Sequence, residues 1–271
     1  MPELPEVETT RRILEPHLLG KIILALEHAD PDRYRRTELA HGRTVTATSR
    51  RGKYLILSLD QGLEAIVHLG MTGGFRFAPH SHTRVSVRLE NETLYYTDPR
   101  RFGKWWVVDA GDYAEIDLLN RMGPEPLGEA FTPESLRKSL RRTRRKIKEV
   151  LLSQEAVAGV GNIYADESLW MSKIHPERPA DSLTPPEVRQ LHANIRDVMG
   201  RAVTAGGSTL SDATYQQPDG SPGYFQFDHN AYDREGRPCN HQGCSSRIKK
   251  IVVGGRGTHF CPACQKAQRG T

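Results

Sequence analysis

Tyr54-Leu55-Ile56-Leu57-Ser58-Leu59-Asp60-Gln61-Gly62-Leu63-Glu64-Ala65-Ile66-Val67-His68 reads as two short apolar segments, Tyr54–Leu59 and Ala65–His68, around the turn residues Asp60-Gln61-Gly62. Runs of this length bounded by turn residues predict strands, and two in succession predict a hairpin. The same texture extends outward. Ile22–Leu26 and Thr44–Thr48 precede it, and Arg84–Leu89, Thr93–Thr97 and Trp105–Val108 follow, with Glu90-Asn91-Glu92 as a further turn. Many short strands at this spacing predict an antiparallel sandwich or barrel. Ahead of them, Val7, Ile13 and Leu14 share one face of a helix that follows Pro5 and ends near Gly20.

The texture changes after Met122-Gly123-Pro124-Glu125-Pro126-Leu127-Gly128, a Pro/Gly stretch that marks a domain boundary. Thr132-Pro133 is an N-cap followed by Pro at the first helical position, and Thr184-Pro185-Pro186-Glu187 fits a capping box. Helices are predicted from about Thr143 to Ser153, from Gly159-Val160-Gly161-Asn162 to about Trp170, and from Pro185 to Gly206-Gly207. Asp212 to Gly223 is polar, turn-rich and without periodicity, as a functional loop can be. The expected division is 1–125, a linker 126–131, a helical domain 132–231, and a C-terminal module 232–271.

All four cysteines fall in that last module, as Cys239-x4-Cys244 and Cys261-x2-Cys264. Between the pairs, Ile248 to Val253 is strand-like and Gly254-Gly255-Arg256-Gly257 is a turn. Two close pairs separated by a hairpin's length have the spacing of a tetrahedral four-cysteine zinc site, which is closed and therefore structural. One Zn2+ is expected.

No apolar run approaches the ~20 residues of a membrane span, and the N-terminus lacks a charged-then-apolar signal segment. The expectation is a cytoplasmic protein without membrane contact. The formal net charge is +5, so the distribution of charge matters more than its size. Arg137 to Lys148 packs eight basic residues into twelve positions, which points to a polyanion such as nucleic acid. A solvated helix face is the bland reading.

Met1-Pro2-Glu3-Leu4-Pro5-Glu6-Val7-Glu8 opens the chain. If Met1 is removed, the chain starts with a secondary amine, Pro2, beside a carboxylate, Glu3. An α-amino group has a reference pKa of about 7.7–8.0 and is partly unprotonated at neutral pH, as a nucleophilic amine must be. An acidic, Pro-started helix is the plain alternative. Three loops carry further candidates. Arg51-Gly52-Lys53-Tyr54 joins two strands. His68-Leu69-Gly70-Met71-Thr72-Gly73 sets Met71 in a glycine-rich loop, where an apolar side chain can wedge between bases. Asp98-Pro99-Arg100-Arg101-Phe102-Gly103 offers arginine and an aromatic for an extruded base's vacant position. Asn162, after two glycines at a helix start, can grip a phosphate.

Taken together, the opening octapeptide, His68–Met71, Asp98–Gly103, Gly161-Asn162-Ile163-Tyr164-Ala165 and Gly254–Gln265 resemble the bacterial formamidopyrimidine-DNA glycosylases. The resemblance spans the whole chain, with the motifs in the family's order. It implies an α+β multidomain fold: an N-terminal antiparallel β-sandwich with a flanking helix, a helix–two-turn–helix domain, and a zinc finger on a β-hairpin, with DNA between the domains. It implies a bifunctional DNA glycosylase/AP lyase of base excision repair acting as a monomer. The partner implied is double-stranded DNA containing oxidised purines such as 8-oxoguanine and formamidopyrimidines. Pro2 is implied as nucleophile, Glu3 as acid/base, Glu6 as supporting carboxylate and Lys53 as a catalytic phosphate contact. Met71, Arg100 and Phe102 are implied to fill the gap left by the extruded base. Asn162, Arg256 and Lys148 of the basic run are expected on the DNA, and Cys239, Cys244, Cys261 and Cys264 on zinc.

Two departures stand out. Many relatives have two residues, not four, between the first cysteines. The Leu210–Gly220 segment, which covers the base in the family, looks longer and has Ser211 where a basic residue is common. Two alternatives stay in view. An endonuclease VIII-type glycosylase for oxidised pyrimidines shares the Pro-Glu terminus and the finger, but Leu4 and the Met71/Arg100/Phe102 set oppose it. A non-catalytic lesion binder would not need Pro2, Glu3 and Lys53.

Overall fold

The computed structural model describes residues 2–210 and 215–267. Met1, and with it the question of its retention, lies outside the described residues, as do Ser211 and the three residues after it in the segment expected to cover the base. The chain forms two compact units. One joins Met1–Asn120 with Ala202–Gln226, and the other joins Arg121–Arg201 with Phe227–Thr271. The sequence reading kept 132–231 together, whereas packing places 202–226 with the N-terminal unit.

In the first unit, helix α1 (Leu4–Leu18) starts after Glu3 and carries Pro5 in its first turn, where a missing N–H costs nothing. Among the described residues nine strands follow: β1 (Ile22–His28), β2 (Tyr34–Arg35), β3 (Arg43–Arg51), β4 (Tyr54–Leu59), β5 (Leu63–His68), β6 (Gly74–Arg76), β7 (Thr83–Leu89), β8 (Thr93–Thr97) and β9 (Lys104–Asp109). The β4–β5 pair is antiparallel, from Tyr54 opposite His68 to Leu59 opposite Leu63, with β5 starting two residues before the expected Ala65. The hydrogen-bonded order is β2-β9-β5-β4-β3-β1-β7-β8-β6. Among the described residues, only Ile22 opposite Thr44 and Ile23 opposite Arg43 join the two halves. The halves share one core. Trp105 of β9 lies 5.5 Å from Tyr96 and 5.7 Å from Phe75, centroid to centroid, and Val7, Leu14 and Leu18 of α1 pack into the same cluster. This is the expected sandwich, with one departure: β2 pairs parallel with β9. Strands β2 and β6 have two and three residues, too few to carry a periodicity.

In the second unit, α3 (Pro133–Leu140) is capped by Thr132, whose hydroxyl accepts from the Ser135 N–H at 3.1 Å. Helices α4 (Ile147–Leu152), α5 (Asn162–Met171) and α6 (Pro185–Thr204, which runs on into the first unit) follow; the short α2 (Asp117–Arg121), earlier in the chain, has all but its last residue in the first unit. Helix α4 starts later than its predicted Thr143. The chain before it is extended instead, with the Ala180 N–H donating to the Arg145 carbonyl at 2.9 Å and the Ile147 N–H to the Arg178 carbonyl at 2.8 Å. Strands β10 (Lys249–Val253) and β11 (Arg256–Phe260) form the predicted hairpin. Among the described residues, no helix is long and apolar enough to cross a membrane.

Candidate active site and metal centre

The N-terminus of α1 buries two acidic side chains beside the first proline. Pro2 is buried, and Glu3 and Glu6 are each 1% exposed. The two carboxylate residues form a capping box in which the Glu3 N–H donates to Glu6 Oε2 at 2.8 Å. Glu6 Oε1 accepts the Ser208 N–H at 2.8 Å. Gly207 makes that approach possible. Its φ is +79°, and an added Cβ would sit 2.7 Å from Glu6 Oε1. The Tyr215 hydroxyl donates to the Gly206 carbonyl at 3.2 Å, and burial followed by the Glu6 charge drives its pKa far upward. Sequence reasoning did not connect Gly207, Ser208 or Tyr215 to Glu6, because a contact across two hundred residues leaves no local signal.

Lys53 sits in the β3–β4 turn and is buried. That turn is tied to α1: Arg50 donates to the Gly52 carbonyl at 2.9 Å and to Glu8 at 3.3 Å. The Glu8 carboxyl is held below its ordinary pKa; burial opposes this, and hydrogen bonds from Arg11 and Arg12 overcome it. Near Lys53, His68 is pushed down to about 4, first by burial and then by the Lys53 and Lys104 charges. The resulting neutral imidazole is what its contact requires, since His68 Nδ1 accepts the Gly70 N–H at 3.2 Å.

Met71, Arg100 and Phe102 come together on two loops. Gly70 has φ of +76°, and a Cβ there would lie 2.5 Å from the Gly103 nitrogen, so the loops touch backbone to backbone. Phe102 is 45% exposed, a half-buried Met71 accompanies it, and the Arg100 guanidinium lies 5.0 Å from the Phe102 ring centroid.

In the second unit, Asn162 at the start of α5 donates to the Gly257 carbonyl at 3.0 Å, which brings it to the hairpin bearing exposed Arg256. Asn162 Oδ1 is buried without a hydrogen bond. Lys148 corrects an expectation. It is 0% exposed, and its ammonium donates to Asp166 at 2.6 Å, the Thr258 hydroxyl at 2.8 Å and the Gly257 carbonyl at 3.2 Å. A lysine spent on a buried ion pair does not belong to the solvated basic face. Lys138, Arg141, Arg142, Arg144 and Arg145 of the run are exposed, and Arg137 and Lys146 are partly so.

The four cysteine Sγ atoms lie within 4.8 Å of one another, and Cys244 and Cys261 are 3.6 Å apart, far beyond a disulfide bond. Tetrahedral zinc with Zn–S of ~2.3 Å needs sulfurs about 3.8 Å apart. The set fits a single structural Zn2+, with no open position for catalysis. The indole N–H of Trp170 donates to Cys239 Sγ at 3.4 Å, and His241 is stacked on that indole at 3.9 Å. Asp166 and Glu167 of α5 hold the finger's approaches. Asp166 accepts the His259 N–H at 2.8 Å, and Glu167 accepts the N–H groups of Asn230, Ala231 and Tyr232 at 2.8–2.9 Å.

Comparison with known proteins agrees with this arrangement. Residues 1–105 match the formamidopyrimidine-DNA glycosylase N-terminal domain, 122–214 its H2TH domain, and 236–267 the zinc finger found in FPG and IleRS. The formamidopyrimidine-DNA glycosylase of Thermus thermophilus is 54% identical over 98% of both chains, and that of Deinococcus radiodurans 52% identical over 98% of this chain and 97% of that one. The crystal structure of the MutM (Fpg) protein from Thermus thermophilus superposes with a TM-score of 0.95, covering 99% of this chain and 100% of that one at 53% identity. Lactococcus lactis Fpg in complex with an abasic site containing DNA superposes at 0.89 with 37% identity, covering 98% of this chain and 100% of that one. With these matches spanning its length, the chain belongs to the formamidopyrimidine-DNA glycosylase family.

Proposed function

We propose that this enzyme removes oxidised purines from duplex DNA with Pro2 as nucleophile and then cuts the exposed strand. The supporting observation is the buried cluster at the start of α1, where Pro2 and Glu3 adjoin a carboxylate, Glu6, fixed by the Ser208 N–H. The Pro2 lone pair attacks C1′, the bond from C1′ to the base breaks, and the base leaves with a proton. Opening of the sugar ring leaves an iminium at C1′. A secondary amine gives an iminium with no N–H to lose, so the cation persists and acidifies the C2′ hydrogen. Loss of that proton expels the 3′ phosphate, a second elimination expels the 5′ phosphate, and water releases Pro2. Glu3, beside the nucleophile, supplies and recovers protons. Glu6 has its acceptors committed to backbone N–H groups and fixes the terminus and the 206–208 loop. Lys53 contacts phosphate beside the lesion, Met71, Arg100 and Phe102 fill the vacated position, and Asn162 and Arg256 hold flanking phosphates. The enzyme acts as a monomer in the cytoplasm.

The test is borohydride trapping of the Met1-processed protein on duplexes carrying 8-oxoguanine, a formamidopyrimidine or thymine glycol. An adduct with the two purine lesions is expected. Adduct with thymine glycol alone would favour the pyrimidine-specific alternative, and no adduct with any duplex would leave only lesion binding. Pro2→Gly is expected to abolish trapping and base release while DNA affinity stays within about threefold, because the change removes one nucleophile and no phosphate contact. Full-rate cleavage by that variant would exclude the amine mechanism.

A further inference from the structure

We propose that Asp98 is a positioning residue that locks the Met71 loop and the Arg100–Phe102 loop into one rigid wedge. The inference deepens the function proposed above and rests on it. Asp98 is fully buried at the end of β8. Its carboxylate faces donors from both loops. Oδ1 accepts the Thr72 hydroxyl at 2.6 Å, and Oδ2 accepts the Gly103 N–H at 2.7 Å. The Thr72 hydroxyl oxygen accepts the Arg100 N–H at 3.2 Å, so one carboxylate reaches the backbone on both sides of Phe102 as well as the residue after Met71. Asp98 is itself held: its N–H donates to the His82 carbonyl at 3.0 Å, and its carbonyl accepts Arg84 Nε at 2.9 Å. Beneath it, the Tyr96 hydroxyl donates to the Leu69 carbonyl at 2.8 Å, and a Cβ on Gly103 would collide with that hydroxyl.

The two loops are thus in backbone contact and joined through a buried charge. Charge-assisted hydrogen bonds are the stronger kind, and removing the acceptor leaves buried donors unpaired. Rigidity has a purpose here. Filling the place of an extruded base requires three side chains to enter a stack together. Wedge side chains fixed beforehand lose little freedom on insertion, and what is saved offsets the cost of unstacking. Asp98 touches no reacting atom. It sets the posture of residues that do the filling.

The experiment compares wild type, Asp98→Asn, Thr72→Val and the double variant on two duplexes, one with 8-oxoguanine and one with a preformed abasic site, which has no base to extrude. Asp98→Asn keeps the shape but turns an NH2 group toward one of the two donors. Single-turnover excision of 8-oxoguanine is expected to fall about tenfold or more, the loss expected of an unmade buried hydrogen bond. Trapping at the abasic site is expected to fall less than about twofold, and a 2-aminopurine opposite the lesion to lose its fluorescence change on binding. Thr72→Val is expected to shift the same ratio, and the double variant to be no worse than Asp98→Asn alone. Equal losses on both duplexes, or unchanged excision, would overturn the proposal. Thr72→Val decides the matter alone if Asp98→Asn fails to fold. Wild-type protein that traps neither duplex would instead overturn the base-excision function.

Discussion

Single side chains here derive their properties from what surrounds them. His68 is the clearest titrating case. Its ordinary pKa is 6.5, and burial followed by the Lys53 and Lys104 charges lowers it to about 4. Lys53→Met is expected to raise the His68 pKa while leaving it below 6.5, because burial, the larger cause, remains. NMR titration of the imidazole checks this, and an unmoved pKa would detach Lys53 from His68. As pH falls, the unfolded chain binds the proton first. The contribution of His68 to stability is therefore complete above pH 6.5 and is lost as pH falls from 6.5 through 4. At this scale the sequence revealed residue types and hid neighbours. The cysteines could be picked out as a metal set, and Pro2, Glu3, Met71, Arg100 and Phe102 as candidates, because unusual residues stand in telling places. Asp98, Ser208 and Tyr215 look ordinary in sequence, and only folding gives them partners.

Elements were easier to read than residues. The β4–β5 hairpin and strand β8 fell where alternation and turn residues put them, and Thr132 and Thr184 both mark helix starts. What escaped was governed by tertiary contact. The start of α4 is displaced by pairing with residues 178–180, and β2 exists only because β9 lies alongside it. The basic run misled in one position, since Lys148 points inward to Asp166. With Lys148 buried, Arg256 is the exposed arginine at the β10–β11 turn that the proposed function places on phosphate. Arg256→Ala is expected to weaken DNA binding uniformly across sequences and to lower the slope of log affinity against log salt by about one, the signature of one lost phosphate contact. An unchanged slope in a salt titration would remove Arg256 from the backbone contacts.

At the scale of the molecule, zinc is expected to govern one end only. The finger's sulfurs lie together as the ligands of one metal would, while its approaches are also held by Asp166, Glu167 and Gln265, the last bridging the Cys261 N–H and the Ile174 carbonyl at 2.8 Å each. Chelation is expected to loosen residues 239–265 and lower DNA affinity about tenfold or more, with the β-sandwich intact, because structural zinc contributes folding energy directly. Hydrogen exchange resolved by segment checks this, and full affinity in metal-free protein would refute it. The broad fold was legible because each module has its own texture: alternation, helix caps and paired cysteines. The membership of 202–226 in the first unit was not, because the Gly206-Gly207 signal ends a helix without saying where the chain goes next.

Synthesis imposes an order on that closure. Glu6 emerges from the ribosome early, yet its partner Ser208 follows only after residues 121–201, which belong to the other unit. Domains tend to fold as their residues emerge, but this one cannot close until its distant segment arrives. A nascent chain interrupted before that point carries Pro2, the proposed nucleophile, on a terminus without its Ser208 contact. A chain cut short before residue 202 therefore lacks the contact that fixes Glu6 at the start of α1.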